Sequence, residues 1–242
     1  MKFRFVKSKL YFFVTTQMIL LIFDVDGTLV QSNRMDSKCF AATYQERYGR
    51  PFPTIDWTKY PHVSDTTIFK TVIREHFDRD ATESEEEEFR QHFVQRIITS
   101  RKETPEAFQE VPYAKATIDR LLADKRFVVG IATGGWKAPA LVKLNFVGIP
   151  VPQLIITGAD GKETREQIIE ETRQLAHQQH GNFDKTIYIG DAIWDYTTTK
   201  NMNIPLIGIR RRGDLDFFQK LGVHKVMKDY EDYSQFIKYC LH

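Results

Sequence analysis

The sequence predicts an α/β protein in which a parallel sheet forms the core and a helical cap domain is inserted into it. Three observations predict this class. Short apolar runs alternate with helical patterns, each run is apolar almost throughout, and about a hundred residues separate the first run from the second. The alternation indicates βαβ units, and strands that are apolar on both faces are covered by helices on both sides.

Five apolar runs are the predicted strands, and three amphipathic stretches are the predicted core helices. The strands lie at 19–23, 127–132, 154–157, 186–189 and 206–209, and the helices lie at 113–125, 137–147 and 164–180. In a Rossmann-like sheet of this kind, ligands bind beyond the carboxyl ends of the strands. Functional residues are therefore expected directly after the strands.

The inserted segment is predicted to be helical, because a crossover between parallel strands needs only about a dozen residues and this gap is far longer. Amphipathic spacing and intervening prolines define three helices at 34–48, 64–78 and 84–101, with the break marked by Pro51, Pro53 and Pro61. We therefore expect a cap domain at 34–108 and a core at 18–33 and 109–242, preceded by an N-terminal extension at 1–17. Whether the native product needs that extension stays open.

The N-terminus superficially resembles a secretory signal, because basic residues precede apolar ones. Thr15, Thr16 and Gln17 interrupt the apolar run, and no small-residue cleavage site follows it. The run is also too short and too polar at its middle to span a membrane. Cys39 and Cys240 lie far apart without CxxC spacing, which fits a reducing compartment. We expect a cytoplasmic protein with no membrane partner.

The charge balance argues against a polyanionic partner. Lys and Arg total 34 and Asp and Glu total 32, so the formal net charge is +2 and gives little attraction for nucleic acid. The acidic run at 83–88 is expected to be a solvated helix start, favoured by the helix dipole, rather than a cation site. The expected partner is a small molecule, and the expected state is a monomer or a weak homo-oligomer.

Two carboxylates follow the first predicted strand. Asp24 and Asp26 are two residues apart, so in extended backbone their side chains point the same way and address one substrate. Gly27 then permits a sharp turn without a Cβ clash. An Asp-Gly pair alone is often an ordinary turn, but five specified residues directly after a buried strand favour a functional site.

Residues 23–30 resemble the first motif of the haloacid dehalogenase superfamily. Three further motifs follow in the order that the superfamily uses: Thr133 after the second core strand, Lys162 before a helix, and Asp191 after a strand with Asp195 beyond it. The combination covers nearly the whole chain. With a helical insertion after the first motif, the chain is most similar to the subgroup that contains phosphoglycolate phosphatases and β-phosphoglucomutases, and this similarity implies a fold of the haloacid dehalogenase type.

The third motif departs from the pattern of the superfamily, and the role of Asp195 in the fourth motif stays open. Family members of this kind often have prolines just after the lysine of the third motif, whereas Glu163, Thr164 and Arg165 follow Lys162 here. Lys162 is the preferred active-site cation, and Arg165 is the alternative. Lys162 could instead be an ordinary solvated lysine in the turn after Gly161. Asp195 is either a metal ligand or a helix cap that supports the ligands.

The resemblance implies a magnesium site. A phosphate monoester is anionic, so a carboxylate attacks it only where cations neutralise the site. Asp24 would be both nucleophile and ligand, Asp191 a second carboxylate ligand, and Asp26 a ligand through its backbone carbonyl. The side chain of Asp26 would then protonate the leaving group and later activate water.

The phosphoryl oxygens would be held by hydroxyl, amide and cationic groups. The resemblance assigns this task to Thr133, Gly134 and Lys162, with Arg165 as the alternative cation. Dehalogenases of the superfamily do not keep an aspartate at the position of Asp26, because halide needs no protonation. The preferred function is therefore a phosphatase for a small phosphorylated metabolite, such as phosphoglycolate or a sugar phosphate.

Two other functions stay open. A phosphomutase would use the same residues and would depend on a bisphosphate activator. A non-catalytic phosphate-binding module would be indicated by absence of magnesium binding.

Aromatic and basic groups outside the motifs receive separate interpretations. The loop at 57–65 is the candidate specificity loop, although such aromatic-rich loops often only pack. Trp136 and Trp194 either line the pocket or pack against the core. The three arginines at 210–212 are expected to be solvated, with steering of an anionic substrate as the alternative.

Overall fold

The structure, a computed structural model, describes residues 17–242. The predicted extension at 1–17 lies outside the described residues except for Gln17. The strands are β1 Ile19–Phe23, β2 Val30–Gln31, β3 Gln109–Glu110, β4 Phe127–Ala132, β5 Ile155–Thr157, β6 Lys185–Gly190, β7 Leu206–Ile209 and β8 Val226–Met227. The helices are α1 Asn33–Tyr48, α2 Asp65–Phe77, α3 Glu83–Glu103, α4 Ala114–Ala123, α5 Lys137–Phe146, α6 Arg165–His180, α7 Ile193–Asn201, α8 Phe217–Lys220 and α9 Tyr233–Leu241.

A parallel sheet of six strands forms the core, in the order β5-β4-β1-β6-β7-β8. All five residues of β1 are buried, as expected for a central strand covered on both faces. Phe23, the last residue of β1, pairs with Ile131 on one side and Ile189 on the other. The segments that follow β1, β4 and β6 therefore lie side by side at one edge of the sheet.

The predicted α/β class with a parallel sheet is confirmed, and the five predicted strands match β1, β4, β5, β6 and β7 to within a residue at each end. The edge strand β8 was not predicted, because its two residues are too short for an apolar pattern. The antiparallel pair of β2 and β3 was also missed. This pair brings the two ends of the inserted segment next to each other.

The inserted segment contains α1, α2 and α3, which share an aromatic core. Phe40 of α1 packs against Phe89 and Phe93 of α3, with ring centroids 5.0 and 5.3 Å apart. Trp136, which precedes α5, stacks on Phe40 at 5.9 Å. The predicted acidic helix start is the beginning of α3, where Glu85 completes a capping box with Thr82.

The beginning of α2 is fixed to the strand ends by hydrogen bonds. The backbone N–H of Asp65 donates to the carbonyl of Gly134 at 2.8 Å, and the hydroxyl of Thr66 donates to the carbonyl of Ala159 at 2.8 Å. The hydroxyl of Ser64 donates to the carbonyl of Glu163 at 2.8 Å and also caps α2. The loop before α2 is thereby held above the carboxyl edge of the sheet.

Within residues 17–242, no helix combines the length and the apolar character that a membrane span requires. Both cysteines, Cys39 and Cys240, are buried free thiols.

Candidate active site

Three strand ends bring acidic and hydroxyl side chains together. The backbone N–H of Asp24, directly after β1, donates to the carbonyl of Ile189 at 2.9 Å, which continues the sheet by one residue. Thr133 follows β4 and Asp191 follows β6. One carboxylate oxygen each from Asp24, Asp191 and Asp195 lies within 4.8 Å of the other two. Asp24 of the first motif and the two acidic residues of the fourth motif therefore form one cluster.

Gly27 is the residue that lets the chain turn beside this cluster. Its φ is +83°, a conformation that L side chains rarely adopt, and its N–H donates to the carbonyl of Val30 at 2.7 Å. A Cβ at Gly27 would lie 2.1 Å from Oδ2 of Asp191 and 2.7 Å from Nδ2 of Asn33. Glycine is therefore required both by the backbone and by the space that the Asp191 carboxylate occupies.

The acidic cluster is electrostatically strained. Burial, together with the Asp195 carboxylate, raises the pKa of Asp24 to about 7, although Arg165 opposes the shift. Burial and the carboxylates of Asp195 and Asp24 also raise the pKa of Asp191 well above its usual value. Oδ2 of Asp191 accepts from Nδ2 of Asn33 at 3.2 Å, but Oδ1 is buried and has no partner among the described residues. A cation bound there would satisfy this oxygen.

Asp195 supports the cluster through both of its carboxylate oxygens. Oδ2 accepts the backbone N–H groups of Asp191 and Ala192, each at 3.0 Å, at the beginning of α7. Oδ1 accepts from Nη2 of Arg165 at 2.6 Å. A Cβ at Gly190 would lie 2.5 Å from the Asp195 carboxylate, so the loop needs glycine to let this carboxylate in. The geometry favours the helix-cap interpretation of Asp195 over direct metal contact.

Arg165, rather than Lys162, reaches the cluster. Nη2 of Arg165, the first residue of α6, lies 3.4 Å from Oδ1 of Asp24 and donates to the hydroxyl of Tyr188 at 3.0 Å. Lys162 turns away, because its Nζ donates to the carbonyl of Asp160 at 3.0 Å and pairs with Glu171 at 2.8 Å. Of the two candidate cations, the structure therefore places Arg165, the alternative, beside Asp24 and leaves the preferred Lys162 outside the cluster.

Thr133 and Gly134, which follow β4, line the same cavity as Asp24. Thr133 is buried, and its hydroxyl accepts the N–H of Gly135 at 3.1 Å. A Cβ at Gly134 would lie 2.1 Å from Nη1 of Arg165, so only glycine lets the guanidinium pass. Arg165, Thr133 and Gly134 line one cavity with Asp24, which places hydroxyl and guanidinium groups within reach of one bound anion.

A lysine that the sequence interpretation missed holds Asp26. Nζ of Lys143 donates to both carboxylate oxygens of Asp26 at 2.7 and 2.6 Å and to Oδ1 of Asp36 at 2.7 Å, and Ser32 donates to Asp26 as well. Although burial alone would lower it, the two carboxylates hold the pKa of Lys143 above its usual value. Ala140, Lys143 and Leu144 share the buried face of α5, so a lysine in an apolar helical stripe was the available signal.

The cavity above the carboxylates has a volume of about 360 Å³. From the candidate specificity loop, Trp57, Val63 and Asp65 line it. Trp194 also lines it, whereas Trp136 is fully buried and donates its indole N–H to Thr66 and Glu86 at 2.8 and 3.0 Å. Of the two tryptophans, Trp194 therefore belongs to the cavity wall and Trp136 to the packed aromatic core.

Comparisons with known proteins agree with this geometry. The family model of haloacid dehalogenase-like hydrolases matches residues 21–209. The chain belongs to this hydrolase family. The resemblance in the motifs is thereby confirmed, and the matched segment includes each acidic residue of the cluster. A search of curated proteins gave no match to this chain.

Solved structures share the fold at low sequence identity. A hydrolase from Pseudomonas syringae aligns with a TM-score of 0.67 and 17% identity over 90% of this chain and 97% of the other. CbbY from Rhodobacter sphaeroides, solved in complex with phosphate, aligns with a TM-score of 0.62 and 12% identity over 88% of this chain and 95% of the other. A protein described as a predicted phosphatase from Clostridium acetobutylicum aligns with a TM-score of 0.62 and 18% identity over 92% of this chain and 99% of the other. At these identities the similarity establishes the fold.

The residues present fit a magnesium ion. Magnesium binds carboxylate oxygens and keeps several waters and substrate oxygens as its other ligands. Asp24 and Asp191 offer two carboxylates at the cluster, and the unpartnered Oδ1 of Asp191 is a buried acceptor that a cation would satisfy. Burial and neighbouring carboxylates raise the pKa of both groups, and a cation bound between them would favour their ionised forms.

Proposed function

We propose that this hydrolase is a magnesium-dependent phosphatase that acts on small phosphate monoesters through an aspartyl-phosphate intermediate on Asp24. One observation carries the proposal: Asp24 lies beside Asp191, whose buried Oδ1 has no partner in the described chain, and faces the same cavity as Thr133 and Arg165. A nucleophile, a cation site and an anion-binding wall are the three parts that phosphoryl transfer needs.

Asp24, Asp191 and the backbone carbonyl of Asp26 would hold the magnesium ion. When bound, the ion supplies positive charge that offsets the repulsion between the carboxylate nucleophile and the phosphate. Asp195 would position two other site residues. It accepts the backbone N–H of Asp191 and a hydrogen bond from the guanidinium of Arg165, and so fixes the orientation of both.

The first half-reaction transfers the phosphoryl group to Asp24. The guanidinium of Arg165, the hydroxyl of Thr133 and the N–H of Gly134 orient the phosphoryl oxygens. A carboxylate oxygen of Asp24 forms a bond to phosphorus while the ester P–O bond breaks. Asp26 donates a proton to the departing alkoxide, which leaves as the alcohol. For this step Asp26 must take up a proton and loosen its contacts with Lys143.

The second half-reaction hydrolyses the phosphoenzyme. Asp26, now ionised, accepts a proton from a water molecule as the water oxygen attacks phosphorus. The bond between phosphorus and Asp24 breaks, inorganic phosphate leaves, and the Asp24 carboxylate is restored. Asp26 then releases the proton taken from that water to solvent and accepts again from Lys143, so the lysine holds this carboxylate between turnovers.

The inserted helices are proposed to act as a cap that limits substrate size. We keep the division into a cap at 34–108 and a core at 18–33 and 109–242. The paired strands β2 and β3 support these boundaries, because they join the two ends of the insertion. A cavity of about 360 Å³ between the loop at 57–65 and the strand ends suits a small metabolite. The buried free thiols fit action in a reducing cytoplasm.

A screen of small phosphate esters tests the proposal. Phosphate release is measured with magnesium, with magnesium removed by a chelator, and with the variant Asp24→Asn, whose amide is neither a competent nucleophile nor an anionic ligand. We expect turnover that requires magnesium and is lost in the variant while circular dichroism is unchanged. Turnover of Asp24→Asn within about tenfold of the parent enzyme would remove the nucleophile assignment. Transfer only in the presence of a bisphosphate activator would indicate a phosphomutase instead.

A further inference from the structure

A second cavity, of about 540 Å³, lies next to the acidic cluster and is strongly basic. Five cationic side chains line it: Arg34 and Lys38 from α1, and Arg210, Arg211 and Arg212 from the loop after β7. The carboxylates that line it are those of Asp191 and Glu106. Since the whole chain carries a formal charge of only +2, this is a local concentration of positive charge. The arginines at 210–212 line this cavity: Arg212 is exposed, as expected for a solvated arginine, and Arg210 and Arg211 are half-buried.

Four of the five cations have no carboxylate partner within residues 17–242. The side chains of Arg34 and Lys38 are exposed and make no hydrogen bond or ion pair with the described residues, in contrast to Lys115, which pairs with Asp119 at 2.6 Å. Arg210 donates to the backbone carbonyls of Asp214 and Asp191, and Arg212 donates to the side-chain carbonyl of Gln31 at 3.4 Å.

Arg211 completes the basic wall. It pairs with Asp229 at 3.2 Å, but its Nε is buried and has no partner in the described part of the chain. Like-charged groups gathered without counter-ions repel each other, and an anion bound among them removes that cost.

The basic cavity adjoins the proposed catalytic cavity. Asn33 and Arg34 line both, and Asn33 donates to the Asp191 carboxylate at 3.2 Å. Arg34 and Lys38 are four residues apart on α1 and therefore lie on the same face of that helix. The first three residues of α1 line the basic cavity, so the positive end of the helix dipole adds to its charge.

We propose that the basic cavity binds a second anionic group of the substrate, a carboxylate or a second phosphate, while the first phosphate is at Asp24. This inference rests on the proposed function and names the substrate class: a small phosphate ester with an anionic tail. An anionic tail bound among these cations offsets their mutual repulsion. A neutral sugar or alcohol would leave the basic cavity without its anion.

Three esters with the same carbon skeleton test the proposal: one ends in a hydroxyl, one in a carboxylate and one in a second phosphate. For the parent enzyme we expect kcat/KM to be at least about tenfold higher for one of the anionic tails than for the hydroxyl, the factor of one charge-assisted contact. The double variant Lys38→Gln and Arg212→Gln should lose most of that ratio. The matched control, Arg120→Gln and Lys125→Gln, removes one arginine and one lysine at the opposite edge of the sheet and should keep it.

A binding measurement separates this inference from the proposed function. The dissociation constants of the three esters are measured by calorimetry with Asp24→Asn, alone and combined with Lys38→Gln and Arg212→Gln. Tighter binding of an anionic-tail ester that the combined variant loses supports the basic cavity, even if no ester is hydrolysed and the phosphatase proposal fails. Equal binding of all three esters, or a preference that the combined variant keeps, overturns the inference even if hydrolysis occurs.

Discussion

Replacement of Lys143 by methionine tests the buried ion pairs that hold Asp26. Methionine has a similar volume, so Lys143→Met removes the charge with little change in packing. Lys143 is buried, and the side chains of Asp26 and Asp36 are 20% and 18% exposed, so solvent compensates little for the loss. Removal of one partner from a buried pair costs about 3–5 kcal/mol. This is a large share of the roughly 5–15 kcal/mol that stabilises a typical domain.

The stability that Lys143→Met loses should depend on pH. Burial raises the pKa of Asp36 to about 6 even though Lys143 opposes the shift, so removal of the lysine raises that pKa further. A carboxylate whose folded pKa is raised binds its proton more tightly in the folded chain, and its contribution to stability is lost as pH rises through that pKa. Lys143→Met should therefore cost more at pH 8 than at pH 5, where Asp36 is protonated, by at least about 1 kcal/mol.

Urea unfolding at pH 5 and pH 8 in the absence of magnesium measures both effects. Lys115→Met is the matched control, because Lys115 is also a helical lysine in an ion pair but is half-exposed. We expect the control to change the free energy of unfolding by about 0.5 kcal/mol or less at both pH values. A loss for Lys143→Met that is equal at the two pH values, or no larger than that of the control, would refute the argument.

Three further predictions concern the site itself. Arg165→Ala should lower kcat/KM about 10- to 100-fold more than Lys162→Ala, since of these two cations Arg165 contacts Asp24 and Lys162 contacts Glu171. The reverse order in steady-state kinetics would assign the role of active-site cation to Lys162. Gly27→Ala should abolish magnesium binding measured by calorimetry, because its Cβ would lie 2.1 Å from Oδ2 of Asp191; unchanged affinity would contradict this. Because the pKa of Asp24 is raised to about 7, magnesium competes with a proton there, and affinity should fall about tenfold per pH unit below pH 7. Titrations at pH 6 and 8 check this, and pH-independent affinity would count against it.

The central strands were predictable because β1 and β4 are apolar throughout, and such a short apolar run is enough to indicate a buried strand. Asp24 and Asp191 were predictable for a related reason. Each follows a buried strand, and the parallel order of the sheet brings such strand ends to one edge. The pair of β2 and β3 was not predictable, since each strand has two residues and their pairing depends on contacts across the inserted segment.

The cation of the third motif could not be assigned from local sequence. Lys162 follows Gly161, whose φ is +68°, and this turn directs the lysine toward Glu171 on α6. Thr164 caps α6, so Arg165 occupies its first position and reaches the strand ends. The sequence contains both cations, and only the turn geometry separates them.

Lys143 shows a different limit of sequence interpretation. Its place on the buried face of α5 is visible in the helical period, and a buried lysine needs carboxylate partners. Its partners, Asp26 and Asp36, lie more than a hundred residues earlier in the chain. The period therefore indicates that partners exist, but the fold is needed to identify them.

Trapping of the phosphoenzyme tests the central claim most directly. Asp26→Asn is mixed with an activated aryl phosphate and magnesium, quenched in acid and digested, and the phosphorylated peptide is located by mass spectrometry. The aryl leaving group needs no proton, so Asp24 should be phosphorylated in a burst and then hydrolysed slowly, with alkyl esters slowed by roughly 10²–10⁴-fold. A phosphoryl group on Asp24 is the predicted result. Its presence on another residue, or full turnover with no burst and no modified peptide, would contradict the account.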